Sequence, residues 1–502
     1  MYQGLRELCA RLDSAVQEER WSEAGRLIAR AGQRIGLSNG QGLQAAFRAF
    51  PDGWLEKYPL LQFYREVLLA TDRGYSVPSA VAVERFARWV ESQPDPAPKD
   101  LVVAEAARLP FHVFVGNVAA ANQAVSRIEA VVAGAADYRA LDDTLPIVYL
   151  VIGAVRLTGG DLDGSFAAFA ESRRWSRVGD WHPAEGHASN YMALASALQG
   201  RIDQARELVV PWSPIVEPHP TTYAALYQAD ATLIPVLLAI GELDRDAADT
   251  ALESVHDRIE HDDLWWIAIY ARARCALLWG DRRASIREMK DLLSAKRALT
   301  SPQTAAAQFL RSILSDLLQA ERRIEEAETA LAPVRETTAV VVRISAARLD
   351  LARGKAIKTV NRSGEGVSIV TAAELALALR SARLQRDEAG AEALLPRLVK
   401  AVRATGDLAA LIECDPQSLD AIESEFSAEE LSRVPRGLFP AVETVLSPRE
   451  REILTTLERA GSVSQAAAEL FISTNTAKTH LRTAYRKLGV NSRKEALRRL
   501  SE

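Results

Sequence analysis

Basic and hydroxyl side chains share one face of a short helix that the sequence predicts near the carboxyl end. The helix begins at Ser473 or Thr474, where either hydroxyl can cap it, and ends at Gly489. At about 100° per residue, its apolar side chains fall on one narrow arc. The opposite arc carries Lys478, Thr479, Arg482 and Arg486. Lys and Arg can donate to guanine edges or phosphates, and Thr can contact a base or its methyl group, so the pattern predicts a helix that enters the major groove of DNA.

Position along this helix separates two predicted roles. Lys478, Thr479 and Arg482 lie toward its start, where base contacts are usually made. Arg486 and Lys487 lie further along and are expected to meet phosphates. A solvated basic face without a partner is the ordinary alternative for any such helix.

Charge is unevenly distributed along the 502 residues. The whole chain has a net charge of -5, but from Leu446 to the end there are 11 Lys and Arg against 6 Asp and Glu. The preceding part carries 50 basic and 60 acidic residues. A basic end on an acidic body favours a polyanionic partner for the end alone.

Helix-start signals position the basic helix. Capping-box spacings occur at Ser447 with Glu450, at Ser462 with Gln465, and at Ser492 with Glu495. With the start near Ser473, they predict four short helices. Two of these are joined by the turn Phe471-Ile472-Ser473, which has helix-turn-helix spacing.

These last 57 residues resemble the DNA-binding domain of LuxR-type bacterial transcription regulators. The resemblance is carried by the stretches LSPREREIL, ISTNTAKTH and KLGVNSR. It implies that the third helix reads the major groove, that the fourth contributes to dimerisation, and that two domains bind inverted half-sites. It also implies base-reading roles for Lys478, Thr479 and Arg482, and a phosphate contact for Thr476. The sequence departs from the family pattern where Ala477 replaces Val and where Gln-Ala-Ala at 465–467 replaces Glu-Ile-Ala.

Much of the remaining chain repeats a helical signature with a period of about forty residues. A helix ends in Leu-x-x-Gly, a polar turn follows, and a second helix opens with Ala four or five residues on. The first helices end at Gly160, Gly200, Gly241, Gly280, Ala320 and, in a weaker copy, Gly354. The glycine is expected to take the left-handed conformation. The period predicts an all-α fold, a tetratricopeptide-like α-solenoid of helical hairpins followed by a four-helix helix-turn-helix domain.

The predicted boundaries give an N-terminal helical region at 1–110, a solenoid for sensing or interaction at 111–434, a linker at 435–445, and the helix-turn-helix domain at 446–502. A loop or small hairpin is expected at 355–374. The solenoid should present an extended inner binding face, although it could also serve only to separate the two ends of the chain.

The repeats, together with the stretch FPDGWLEKYPLLQFYREVLLA, resemble the helical-repeat sensor region of MalT-like regulators. In those regulators a P-loop ATPase precedes the repeats. The one Gly-Lys pair in this sequence, Gly354-Lys355, has Leu349 where the motif needs its first glycine and Ala356 where it needs Ser or Thr. ATP hydrolysis is therefore not expected to be the switch.

Tryptophans are concentrated in the repeats, with six of nine between 175 and 279. Core packing between hairpins is their ordinary role. The alternative is an aromatic-lined pocket for an apolar effector or a protein partner. The residues predicted for such an effector site are Trp175, Trp181, Trp212, Trp265 and Trp266.

Other chemistry is not indicated. Three cysteines lie far apart, which favours a reducing cytoplasm without disulfides. In the stretch from His182 to His187, proline and glycine break the helix that would align metal ligands, and His256 and His261 do not converge on one helix face. Acidic residues interrupt the first helix where a signal peptide would be apolar, and no apolar run is long enough to span a bilayer. No enzyme, metal or cofactor is predicted.

The sequence therefore predicts a cytoplasmic bacterial transcription regulator that binds operator double-stranded DNA as a homodimer. Its solenoid would bind a small-molecule or protein effector, and RNA polymerase is a candidate partner. The alternative is a non-enzymatic adaptor whose carboxyl-terminal module docks on a protein.

Overall fold

The computed structural model describes residues 3–51, 53–71, 79–114, 117–135, 138–178, 182–209, 229–255, 264–296, 300–355, 357, 371–439, 448–488, 490, 492–493 and 495–497. These residues form helices and turns, and no strand occurs among them. The predicted all-α fold is confirmed. None of the helices in these ranges combines the length and the apolar character that a membrane span requires.

The chain begins with seven amphipathic helices. They are α1 (Gln3–Gln17), α2 (Trp21–Ser38), α3 (Gly40–Ala49), α4 (Pro59–Thr71), α5 (Ala80–Glu91), α6 (Pro98–Phe114) and α7 (Val118–Gly134). Helices α1 to α6 bury apolar faces in a common core that contains Leu12, Ile28 and Phe47. Phe63 and Phe86 stack in this core, with 4.9 Å between ring centroids. Apolar spacing of three and four residues explains why each helix buries one side.

Helical hairpins follow in the order that the repeats predict. They are α8 (Leu145–Thr158) with α9 (Leu162–Trp175), α10 (Ala184–Leu198) with α11 (Ile202–Leu208), α12 (Ala229–Gly241) with α13 (Arg245–Val255), α14 (Trp265–Trp279) with α15 (Arg282–Ala295), α16 (Ala305–Ala320) with α17 (Ile324–Leu331), and α19 (Ala372–Leu384) with α20 (Glu388–Thr405); α18 (Val340–Ala352) lies between the last two pairs. The first helices of successive pairs contact one another, from α8 through α10, α12, α14 and α16 to α18. This stacking confirms the predicted solenoid.

The role predicted for the repeat glycine is confirmed at three turns. Gly160, Gly200 and Gly354 have φ angles of +83°, +73° and +71°. Each lies two residues after the last residue of its helix. Glycine adopts this left-handed backbone without the steric penalty of a Cβ atom.

The prediction is wrong at two turns. Helix α12 continues through Gly241, and Leu243 takes the left-handed conformation with a φ of +54°. At Gly280 the φ angle is -118°, so α14 ends on an extended residue. At Gly160, Gly200, Gly354 and Leu243, the residue with positive φ is the second residue after the helix end. Helix α12 ends at Gly241 itself and not two residues before it, so Leu243 takes this place.

The solenoid turns far enough for its early and late hairpins to meet. A Cβ atom added at Gly200 would lie 2.7 Å from Oδ2 of Asp407, and one added at Gly406 would lie 2.6 Å from Oδ1 of Asp203. Helix α11 contacts α20 in the same region. Two glycines thus permit a close approach of turns that are distant in the sequence.

This closure fills much of the inner side of the solenoid. Residues 187–197 of α10, and 305–310 and 312–319 of α16, are buried. Helix α16 also contacts α8, where Gly160 approaches Gln308. The extended inner binding face predicted from the repeats is therefore not open at α10 and α16, because the tight turn packs other parts of the chain against them.

Two short helices, α21 (Pro416–Ala421) and α22 (Ala428–Arg433), follow α20. A buried ion network lies near this end of the solenoid. Nε of Arg348 lies 3.1 Å from both carboxylate oxygens of Glu413, and the same guanidinium pairs with Asp316. All three side chains are buried. A buried charge of this kind is tolerated only when it is paired.

The segment that enters the predicted linker is docked on this network. Leu438 and Phe439 are buried in the solenoid core. The guanidinium carbon of Arg348 lies 4.0 Å from the centroid of the Phe439 ring, and Arg380 donates to the carbonyl oxygen of Phe439 at 3.4 Å. Residues 440–445 of the predicted linker, and most of the expected hairpin at 355–374, lie outside the described residues.

Candidate nucleic-acid interface

Three helices at the carboxyl end enclose a small separate core. They are α23 (Pro448–Ala460), α24 (Val463–Glu469) and α25 (Thr474–Leu488). Ile453, Leu457, Leu481 and Ala484 are buried at their junction. Ala477 is also buried, so the apolar arc predicted for α25 faces this core. Its last member, Leu488, has a side chain outside the described part.

Side-chain caps fix the helix starts. Ser462 Oγ accepts from the N–H of Gln465 at 3.2 Å and donates to Gln465 Oε1 at 2.8 Å. At the start of α25 the cap is Ser473, whose Oγ accepts from the N–H of Thr476 at 3.0 Å. Ser447 lies outside the described residues. The register of α25, and with it the direction of each side chain, follows from the Ser473 cap.

The beginning of the predicted fourth helix is partly described. Residues 493 and 495–497 are helical, and Ser492 Oγ accepts from the N–H of Glu495 at 3.3 Å. Arg493 donates to the carbonyl oxygen of Leu457 at 2.8 Å and to that of Gly461. Because these carbonyls lie at the end of α23, Arg493 ties the fourth helix to the first by satisfying groups that a helix end leaves unpaired.

The turn between α24 and α25 is held by hydrogen bonds on both sides. The N–H of Ile472 donates to the carbonyl oxygen of Ala467 at 3.0 Å, and Arg449 Nη2 donates to that of Leu470 at 3.1 Å. Phe471 takes a left-handed conformation with a φ of +55°. This tight connection sets the two helices as a helix-turn-helix pair.

The face of α25 opposite its buried arc is open. Thr476, Lys478, Thr479 and Arg482 are all exposed. Two formal positive charges and two hydroxyls thus lie on one helix face, as the spacing predicts. Arg486 and Lys487 lie on the same helix, but their side chains are outside the described part.

The hydrogen bonds made by the hydroxyls of α25 determine which groups this face presents to a partner. The Thr476 and Ser473 hydroxyl oxygens are 2.8 Å apart at the helix start. The Thr479 hydroxyl donates to the carbonyl oxygen of Asn475 at 3.0 Å. With its proton engaged, Thr479 presents a methyl group and an acceptor oxygen outward, and the methyl suits contact with thymine.

Asn475 is an exposed residue on this face that sequence reasoning missed. It lies three residues before Lys478, which at about 100° per residue places it within the polar arc. Extending the helical wheel to the first turn gives this position. Its amide can donate and accept, which is the combination that reads adenine.

The predicted effector tryptophans lie in different places. Trp175 is buried in the core formed by α6 to α9, and its ring centroid lies 5.6 Å from that of Tyr138. Trp266 is buried in the solenoid core, 5.0 Å from Phe309, and Trp265 is half-buried beneath Lys296. The structure does not bring Trp175 together with the other two. Trp181 and Trp212 lie outside the described residues.

A surface cleft of about 490 Å³ lies beside Trp279, a tryptophan outside the predicted set. Its walls include Leu243, Asp246, Arg433 and Pro435. The cleft therefore joins two hairpins of the solenoid to the segment that leads toward the carboxyl-terminal helices.

Of the histidines considered for metal binding, His256 and His261 lie outside the described residues. His182 is buried; its Nδ1 accepts from the N–H of Ala184 at 3.1 Å, and its Nε2 lies 3.6 Å from Asp143 Oδ1. Burial lowers the pKa of His182 well below its usual value, so the ring is neutral. Glu185 pairs instead with Arg177. Over the described ranges, no group of three His, Cys, Asp or Glu side chains is placed to hold a metal ion.

The fold and this face together define a helical-repeat protein that carries a helix-turn-helix module. Residues 444–500 match the family model for bacterial regulatory proteins of the luxR family. The predicted LuxR-type domain at the carboxyl end is thereby confirmed.

Two relatives from Mycobacterium tuberculosis share this similarity. The chain is 45% identical over 56 residues to the probable transcriptional regulatory protein NarL of strain CDC 1551 / Oshkosh, and to that of strain ATCC 25618 / H37Rv. The matched residues are 11% of this chain and 26% of each relative, so the chain spans about a quarter of the length of the curated relatives it matches. No solved structure matches the chain. The likeness of the repeats to MalT-like sensors stays a prediction.

Proposed function

We propose that this protein is a transcription regulator that binds operator DNA through α25 and receives a signal through its solenoid. The observation that carries the proposal is the exposed face of α25, with Lys478, Thr479 and Arg482 opposite a buried apolar arc in a luxR-type domain. A helix of this diameter fits the major groove, where these side chains reach base edges.

The roles follow the position of each group on the helix. Lys478 and Arg482 donate to guanine, and Thr479 offers its methyl group to thymine. Thr476 lies beside the Ser473 cap at the positive end of the helix dipole, which suits a phosphate. Arg486 and Lys487 meet phosphates further along. Two copies bind inverted half-sites as a homodimer, with the fourth helix contributing to the contact between them.

The body of the protein, residues 111–434, is the sensing part in this proposal, as in MalT-like regulators. Its signal is a small-molecule or protein effector, and RNA polymerase is the partner at the promoter. The cleft beside Trp279 is bordered on one side by residues 432–435, and Phe439 is docked in the solenoid core shortly after them; only the eight residues 440–447 separate Phe439 from α23. A change in solenoid packing therefore has to pass through only this short segment to reach α23. Titration of intrinsic tryptophan fluorescence with candidate metabolites tests this part, and the absence of any response would count against a small-molecule effector.

Selection of genomic fragments tests the DNA-binding part. The full-length protein is mixed with sheared DNA from its source organism, and retained fragments are sequenced. The proposal expects a shared inverted repeat among them, and the Arg482→Ala variant should enrich it less than the wild type does. Enrichment without a common site, or equal enrichment by the variant, would contradict base reading by α25.

A further inference from the structure

Phe471 combines two features that do not favour folding. The residue is 96% exposed, whereas the next most exposed large apolar residue in the described ranges, Val81, is 69% exposed. Its φ of +55° is in the left-handed region, which is unfavourable for a bulky aromatic residue. An exposed ring gains no burial energy in the free chain. Such a residue is expected where a partner covers it.

The ring is carried by a rigid part of the backbone. The N–H of Phe471 donates to the carbonyl oxygen of Ala468 at 3.2 Å, and the neighbouring residues Leu470 and Ile472 are also hydrogen-bonded. Ser473, two residues on, caps α25. The position of Phe471 relative to α25 is therefore fixed by the same turn that positions the basic face.

The place of this turn points to one partner. In helix-turn-helix docking the second helix lies in the major groove while the first crosses the sugar-phosphate backbone. The residue that joins them lies where the protein passes from backbone to groove. Phe471 is three residues before Thr474, a chain length of about 10 Å at most, and the groove is about 12 Å wide. With α25 in the groove as proposed, this short chain length keeps the turn near the groove edge.

The side chains around Phe471 suit different chemical groups of the DNA backbone from the one that suits its ring. Arg449, on one side of the turn, has a partly exposed guanidinium that pairs with Glu452, and the hydroxyls of Ser473 and Thr476 lie on the other. Cations and hydroxyls suit phosphate oxygens. Between successive phosphates lies deoxyribose, whose carbon-bound hydrogens form an apolar surface, and an aromatic ring is the group that suits it.

We propose that Phe471 packs against deoxyribose at the edge of the major groove. This inference rests on the proposed function. Because the contact is apolar and made to the backbone, it strengthens binding to every sequence alike. Because it neutralises no phosphate, it leaves the salt dependence of binding unchanged.

The test compares Phe471→Asn and Phe471→Tyr in the full-length protein. Asn tolerates the left-handed backbone better than Phe does, so the thermal midpoint of Phe471→Asn should equal or exceed that of the wild type. Its affinity should be about tenfold lower, both for a retained genomic fragment and for random duplex, with the slope of log K against log salt unaltered. Phe471→Tyr keeps the ring and should retain most of the affinity. The matched control is Val81→Asn, which removes an exposed apolar side chain from α5 and should leave DNA binding unchanged.

Several results would overturn the proposal. Unchanged DNA affinity of Phe471→Asn would overturn it, because the ring would then contact a protein or nothing. This holds whether or not the transcription activity of the variant with RNA polymerase falls. An altered sedimentation coefficient in the absence of DNA would assign the ring to contact between copies. If the wild-type protein binds no DNA at all, it is the proposed function that fails.

Discussion

Asp407 provides a test of how the solenoid closes. Its carboxyl group lies against the Gly200 turn, at the meeting of the early and late hairpins. Burial raises the pKa of Asp407 to about 7, against the opposing effects of Arg274 and of the backbone N–H groups of Ala409 and Ala410. The carboxyl group therefore takes up a proton when the chain folds. The perturbation is Asp407→Asn, which keeps the shape and an acceptor oxygen but cannot ionise.

The sign and the size of the expected difference in the free energy of unfolding follow from the linkage between protonation and folding. A carboxyl group whose pKa is higher in the folded protein contributes stability below its unfolded pKa near 3.8, and this contribution is lost as the pH rises through about 7. The difference between the two pKa values corresponds to about 4 kcal/mol. At pH 4 the variant and the wild type should thus have similar free energies of unfolding. At pH 8 the variant should be more stable by up to that amount.

Urea unfolding followed by tryptophan fluorescence, at intervals from pH 4 to pH 8, measures this difference. The control is Asp163→Asn, because Asp163 is 78% exposed and pairs with Arg201 at the surface. An exposed pair contributes under about 1 kcal/mol, so the control should show no comparable divergence from the wild type. If Asp407→Asn and the wild type respond to pH in parallel, a carboxyl group with a raised pKa at the closure is refuted.

Three further predictions concern DNA reading and the solenoid core. Arg482→Ala should weaken specific binding by roughly 1 to 3 kcal/mol, whereas Lys487→Ala should weaken binding to all sequences similarly and flatten the salt slope; equal losses on specific and random duplex for both variants, measured by fluorescence anisotropy, would refute these roles. Thr479→Val should keep affinity for a thymine-containing site and Thr479→Ser should lower it, because the methyl group is the proposed contact; the opposite order in the same assay would assign the contact to the hydroxyl. Arg348→Met should destabilise the solenoid by about 3 to 5 kcal/mol, since two buried carboxylates lose their partner, and a thermal midpoint equal to that of the wild type would contradict the buried network.

The part of the structure that depends on local spacing could be predicted from the sequence. The hairpin order follows from the period of the repeats, and the exposed face of α25 follows from its helical wheel. Ser473 and Ser462 cap their helices because a hydroxyl before an apolar-periodic run satisfies N–H groups at the helix start. The wheel missed Asn475 because it did not extend to the first turn of the helix.

Contacts between distant residues could not be predicted in this way. The approach of Asp407 to Gly200 depends on how far each hairpin rotates relative to the last, and a single sequence does not encode that angle in any short motif. The closure also explains why the inner face at α16 is filled. The sequence indicates Phe471 only as part of a turn, because it does not signal a left-handed backbone at a non-glycine residue.

The most direct test of the central claim is the salt dependence of DNA binding by the full-length protein, with and without the double substitution Lys478→Ala and Arg482→Ala. The affinity of the wild type for a retained genomic fragment should fall steeply and linearly on a log–log plot between low and moderate ionic strength, with a slope of about 0.9 for each phosphate neutralised. The double variant should bind that fragment no better than random duplex. Binding that ignores salt, or a double variant that still prefers the fragment, would contradict the assignment of α25 as the DNA-reading helix.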